Sequence, residues 1–90
     1  MKITMPAEGQ LVKSLQGRDK GKYYIVSSVS NGCVKLIDGR TRKADNPKVK
    51  NIKHLYISPI KAEIKKDGAY EINVARFIKE QSLLKGKSED

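Results

Sequence analysis

Apolar residues fall in short, strand-length runs over the first two thirds of the chain: Leu11-Val12, Tyr23 to Val29, Val34 to Ile37 and Leu55 to Ile57. Gly, Asn, Pro and charged residues separate them, the punctuation of a strand-turn-strand protein. Residues 9–15 mix apolar and polar positions and stop at Gly17, which predicts a first strand entering a tight loop. Tyr23 to Val29, rich in aromatic and β-branched residues, predicts a second. Ile25, Val26 and Val29 cannot all face one side at a strict period of two, so this strand carries a bulge or has both faces partly buried. Ser30-Asn31-Gly32 is a hairpin signal, because Asn and Gly tolerate positive φ, and Cys33 to Ile37 follows as a third strand ended by Asp38-Gly39. Arg40 to Asn51 is basic and polar around Pro47 and predicts a solvated loop with at most a short edge strand. Lys53 to Ser58 alternates again, with His54, Tyr56 and Ser58 on one face and Leu55 and Ile57 on the other.

Past Pro59 the period lengthens. Ile60, Ala62 and Ile64 alternate like a strand, yet Ile60 and Ile64 also fit one helical face. From Asn73 onward Val74, Phe77, Ile78 and Leu84 fall on one helical stripe, with Asn73 able to cap the start and Gly86 to stop the end. The expectation is a mainly β, small barrel over residues 9–58 and a C-terminal extension, 59–90, with an amphipathic helix over about 73–85. Residues 1–90 then form a single domain, the size at which a modest core can still fold alone.

Charge adds what patterning cannot. Lys13 to Lys61 holds twelve Lys/Arg against Asp19, Asp38 and Asp45, a net +9, while residues 1–12 and 62–90 are each balanced. A folded cationic block between neutral ends points to a polyanionic partner. Cys33 is the sole cysteine, which excludes an intramolecular disulfide or multi-cysteine zinc site and fits a small apolar filler in a reducing compartment. The first twelve residues are too broken for an apolar signal core and no run approaches membrane-spanning length, so a cytoplasmic location and no membrane partner are expected.

The turn Gly17-Arg18-Asp19-Lys20-Gly21-Lys22 lies inside that block. Gly17 and Gly21 permit a sharp reversal through positive φ, and Arg18, Lys20 and Lys22 then project beside backbone N–H groups able to face an anion. Arg supplies a planar fork and Lys a point charge, a mixture suited to an irregular RNA backbone. Of the adjacent Tyr23 and Tyr24, one points inward and one outward; the outward ring is either a base-stacking surface or a half-exposed barrel tyrosine.

Leu11 to Val29, with that turn followed by Tyr-Tyr-Ile-Val, resembles a KOW motif, the strand-loop-strand unit of SH3-like barrels in ribosomal proteins and transcription elongation factors. The resemblance runs on through Asp38-Gly39-Arg40-Thr41-Arg42-Lys43 and Lys53-His54-Leu55, and over residues 9–57 is similar to archaeal and eukaryotic-type large-subunit ribosomal protein fourteen. Many KOW sequences carry a glycine three residues beyond the Lys-Gly pair. Tyr24 stands there instead, which departs from the elongation-factor domains and agrees with the ribosomal-protein branch.

The resemblance implies a ribosomal or ribosome-associated protein of translation, its partner RNA, ribosomal RNA in particular, with ribosomal proteins as further neighbours. The RNA-binding residues are then Gly17, Arg18, Lys20, Gly21, Lys22, Arg40, Arg42, Lys43, Lys48, Lys50 and Lys53. Competing expectations are a protein-interaction barrel that captures a partner on its open edge or on the helix face of Phe77 and Ile78, and DNA binding by charge alone.

Catalysis, a cofactor and a small-molecule substrate are not expected. One His, one Cys and unpaired carboxylates give no nucleophile-base or metal constellation. The nucleotide loop Gly-x-x-x-x-Gly-Lys-Ser/Thr also fails: at Gly21-Lys22 its first Gly is Gln16 and its Ser/Thr is Tyr23, and at Gly86-Lys87-Ser88 the first Gly is Gln81.

Overall fold

Asn31 and Gly32 both take positive φ, 47° and 82°, and close a two-residue hairpin between paired Ser30 and Cys33. Both central residues with φ above zero make a turn whose twist matches the flanking strands. In the computed structural model, which describes residues 6–88, this hairpin joins β2 (Tyr23–Ser30) to β3 (Cys33–Ile37). Around it lie β1 (Gln10–Ser14), the four-residue edge strand β4 (Lys48–Asn51), a 3-10 turn over Ile52–His54, β5 (Leu55–Lys61) and α1 (Tyr70–Ser88). The strands form one antiparallel sheet in the order β4-β3-β2-β1-β5.

Both expected departures from alternation occur in β2. Its register with β3 shifts between Val26 and Ser28, and it is buried on both faces. Leu11, Ile25 and Ile37 meet Ala62, Tyr70 and Val74 on the helix side. Val12, Tyr24, Val26, Val34, Leu36 and Leu55 form a second cluster on the other side.

That second cluster requires the sheet to curl. A flat five-stranded sheet would hold β4 and β5, its two edges, roughly 19 Å apart at ordinary strand spacing. Only residues 52–54 join them, a link that reaches at most about 14 Å. Curling closes the gap and lets Leu55 of one edge share an interior with Val34 and Leu36 next to the other. Among the described residues no backbone ladder joins β4 to β5, so the barrel expected from the sequence is here a curled five-stranded sheet.

The bounds of β5 and α1 differ from the sequence expectation: Lys53 and His54, read as the start of the last strand, belong to the 3-10 turn, and β5 begins at Leu55. β5 does not stop at Ser58 but crosses Pro59 to Lys61, because it lies at the sheet edge and carries two more residues than β1 between the pairs Gln10↔Lys61 and Val12↔Ile57. A proline is tolerated at such an irregular edge. The Ser58 hydroxyl accepts the Ile60 N–H (3.1 Å) and its carbonyl accepts Gln10 Nε2 (2.8 Å), so Ser58 is buried instead of sharing the exposed side of Tyr56.

The helix starts at Tyr70 and not at Asn73. Asp67 turns the chain into it, its carboxylate accepting Ala69 N–H (2.9 Å) and its carbonyl accepting Tyr70 N–H (3.1 Å). Asn73 is already inside, donating its N–H to the Ala69 carbonyl, and Gly86 does not stop the helix, which runs to Ser88. Val74 is fully buried and Phe77 and Ile78 pack on the Leu11–Ile25–Ile37 cluster, whereas the side chain of Leu84 lies outside the described residues. The helix face offered to a partner by the competing reading is thus engaged with the sheet.

Candidate nucleic-acid interface

The β1–β2 loop is held by its own backbone. Ser14 N–H donates to the Lys22 carbonyl (2.9 Å) and Gly21 N–H to the Ser14 carbonyl (2.8 Å), extending the ladder, while Lys22 N–H donates to the Asp19 carbonyl (2.9 Å). Gly17 and Gly21 sit at φ 91° and 92°, so both glycines serve the reversal for which the sequence offers them. Arg18, Lys20 and Lys22 are exposed on it. A Cβ on Gly21 would meet nothing within 4 Å, so a side chain there is opposed by the backbone alone. Gly21→Val should therefore cost about 1–3 kcal/mol and lower Tm, with Lys20→Ala melting like the parent. Thermal melts of the two variants test the loop assignment, and the reverse order would overturn it.

Asp19 does something the sequence does not announce. It is 6% exposed and accepts Ser14 Oγ (2.8 Å), Lys50 Nζ (2.9 Å) and the Tyr24 hydroxyl (3.1 Å), with Lys48 Nζ at 3.5 Å. Lys50 also donates to the Gln16 carbonyl (2.8 Å). Burial opposes the charge on this carboxyl, but the hydrogen bonds from Lys50, Ser14 and Tyr24 and the positive charge of Lys50 outweigh it and hold the group well below the ordinary carboxylate value. Burial first, and then the bond to Asp19 and its charge, push the Tyr24 hydroxyl up to about 12. Tyr24 is therefore the inward ring, an anchor of the loop.

Lys48 and Lys50 are consequently tied to an internal anion, Lys50 with only 11% of its side chain exposed. Their place among phosphate-binding residues is weakened, since a contact made outside would have to compete with a short ion pair inside.

A second loop presents Arg40, Thr41, Arg42 and Lys43. Asp38 shapes it, its Oδ1 accepting the N–H of Arg40 (2.8 Å) and of Arg42 (2.9 Å). Arg40 and Lys43 are exposed and Arg42 is half-buried. The loop rests on α1 through the bond from Ala44 N–H to Glu71 Oε2 (2.8 Å) and through Gly39, whose α-carbon faces the helix backbone.

Between the two loops and α1 runs a groove of about 450 Å³ that brings Lys22, Tyr23 and Arg40 together with Lys79. Lys79 was not legible as a site residue, since it belongs to a charge-balanced segment, and only helix docking places it here. Lys53 is exposed in the 3-10 turn, where its N–H donates to Asn51 Oδ1 (2.9 Å), and is not part of the groove.

Among the described residues no three His, Cys, Asp or Glu side chains gather as a metal site, and no helix is long and apolar enough to cross a membrane. The chain matches no protein-family model, and no curated protein matches it.

Proposed function

We propose that this chain is an RNA-binding module, an SH3-like barrel of the KOW kind that contacts structured RNA, ribosomal RNA foremost, as a ribosomal or ribosome-associated protein. The strand order, the strongly curled sheet and the 3-10 link between its edges are compatible with that barrel. The polyanion reading is carried by how the basic block uses its acids. Asp19 is buried and Asp38 is turned to its own loop amides, while Arg18, Lys20, Lys22, Arg40, Lys43 and Lys53 remain exposed. Two of the block's three carboxylates are thus withdrawn, leaving Asp45 as its exposed acid against six exposed cations that would attract phosphate. The resemblance of residues 9–57 contributes the word ribosomal, and the charges contribute the polyanion.

If four to six of these exposed bases neutralise phosphates, log affinity for RNA should fall against log salt with a slope of about −3 to −5. Arg18→Ala or Lys20→Ala should each weaken binding by about 0.5–2 kcal/mol without lowering Tm. Filter-binding titrations across salt test both. A flat salt response would remove the reading, and DNA competing equally with RNA at matched salt would reduce it to binding by charge alone.

A further inference from the structure

Lys13 stands at the centre of a cross-strand row. It pairs with Tyr23 of β2 on one side and with Tyr56 of β5 on the other, and residues directly opposite in an antiparallel ladder project to the same face. The Lys13 ammonium lies 5.6 Å from the centre of the Tyr23 ring, within reach of its π face. Tyr23 is half-buried because its ring also packs on the helix-side core. Tyr56 does not share that role: it is 47% exposed, and Leu15, the residue that follows β1, is 44% exposed. A tyrosine that served only to fill the sheet would be covered, as Tyr24 is at 3% exposure.

From this row we infer that the protein binds unpaired nucleotides of its RNA, with a base stacked on Tyr56 and the backbone running past Lys13 toward Lys22 and Arg40. The inference rests on the RNA reading and narrows it from a charged backbone to single-stranded segments. The chemistry is complementary. An aromatic face accepts a base of any identity, and the row itself carries no carboxylate to repel the phosphates on either side of that base. Tyr23 leads on to Lys22 and to the groove where Arg40 and Lys79 outnumber its single carboxylate, Asp38, whose Oδ1 is taken up by the N–H groups of Arg40 and Arg42, so the path beyond the ring stays net cationic. A paired helix cannot use such a platform, because its bases are already stacked on one another.

The test compares a fluorescein-labelled oligouridine of about eight nucleotides with a paired RNA duplex, both followed by anisotropy at matched salt. The parent should prefer the single strand, and Tyr56→Ala should weaken that strand about tenfold while leaving duplex affinity and the salt slope unchanged. Tyr56→Phe should bind like the parent, since stacking needs the ring and not the hydroxyl. Circular dichroism confirms that both variants are folded, as expected for an exposed position. If Tyr56→Ala binds the single strand as tightly as the parent, or weakens single strand and duplex alike, the stacking site is refuted while RNA binding stands. If the parent binds neither probe, the RNA reading falls and this inference with it.

Discussion

Gly39→Ala should be among the most damaging single-methyl changes available to this chain, lowering stability by about 2–4 kcal/mol and Tm by about 10–25 °C. Two costs coincide there. Gly39 sits at φ 80°, which a side chain resists by about 1 kcal/mol. A Cβ would also fall on the Glu71 carbonyl oxygen, 2.8 Å from the Ala75 backbone nitrogen and 3.0 Å from its Cβ. Those atoms belong to the first turns of α1, which cannot step aside without lifting Val74 and Tyr70 out of the core they complete with Leu11, Ile25 and Ile37. Gly32→Ala is the control, because its φ of 82° is the same but nothing lies within 4 Å of the added carbon. Thermal denaturation of the two variants separates strain from contact: equal losses would mean that loop and helix do not meet closely.

The strands were legible because each is a local pattern. β3 coincides with its expected span, and the Asn31-Gly32 turn follows from what those two residues permit. The helix was legible in its apolar stripe but not in its ends. Asn73 and Gly86 are plausible caps in isolation, yet Asp67 starts the turn earlier and the buried Tyr70 ring belongs to the packed face.

What stayed hidden depends on register between distant segments. Tyr56 becomes a neighbour of Lys13 only when β5 pairs with β1, and Lys79 joins Arg40 only when α1 docks. Asp19 reads in the sequence as one more loop charge, because its partner Lys50 is 31 positions away and periodicity does not specify that β4 faces the loop across the curl. The same geometry divides the basic residues into two groups that composition treats as one. Arg18, Lys20 and Lys22 ride on the outside of the loop, while Lys48 and Lys50 hold it from beneath.

Asp19→Asn should cost about 2–4 kcal/mol at neutral pH, because it leaves two lysines and two hydroxyls with one acceptor oxygen in place of two, and its amide donates where the Tyr24 hydroxyl or an ammonium already donates. The loss stays below that of a fully enclosed pair because Lys48 keeps 29% of its side chain in solvent. The effect should also depend on pH in one direction. The Asp19 carboxyl is held below its ordinary value of 3.8 in the fold, so the unfolded chain takes up its proton first. Its contribution is therefore fully present above that value and drains away as pH falls through it toward the depressed folded value. Melts from pH 7 to pH 2.5 should show the gap between parent and Asp19→Asn constant at first and then narrowing below about pH 4. Lys50→Met supplies the functional half of the test, retaining the apolar stem while removing the charge. A lysine that anchors the loop from inside should lose stability on this change with the RNA salt slope unchanged, whereas a slope reduced by about one would return Lys50 to the phosphate-binding set.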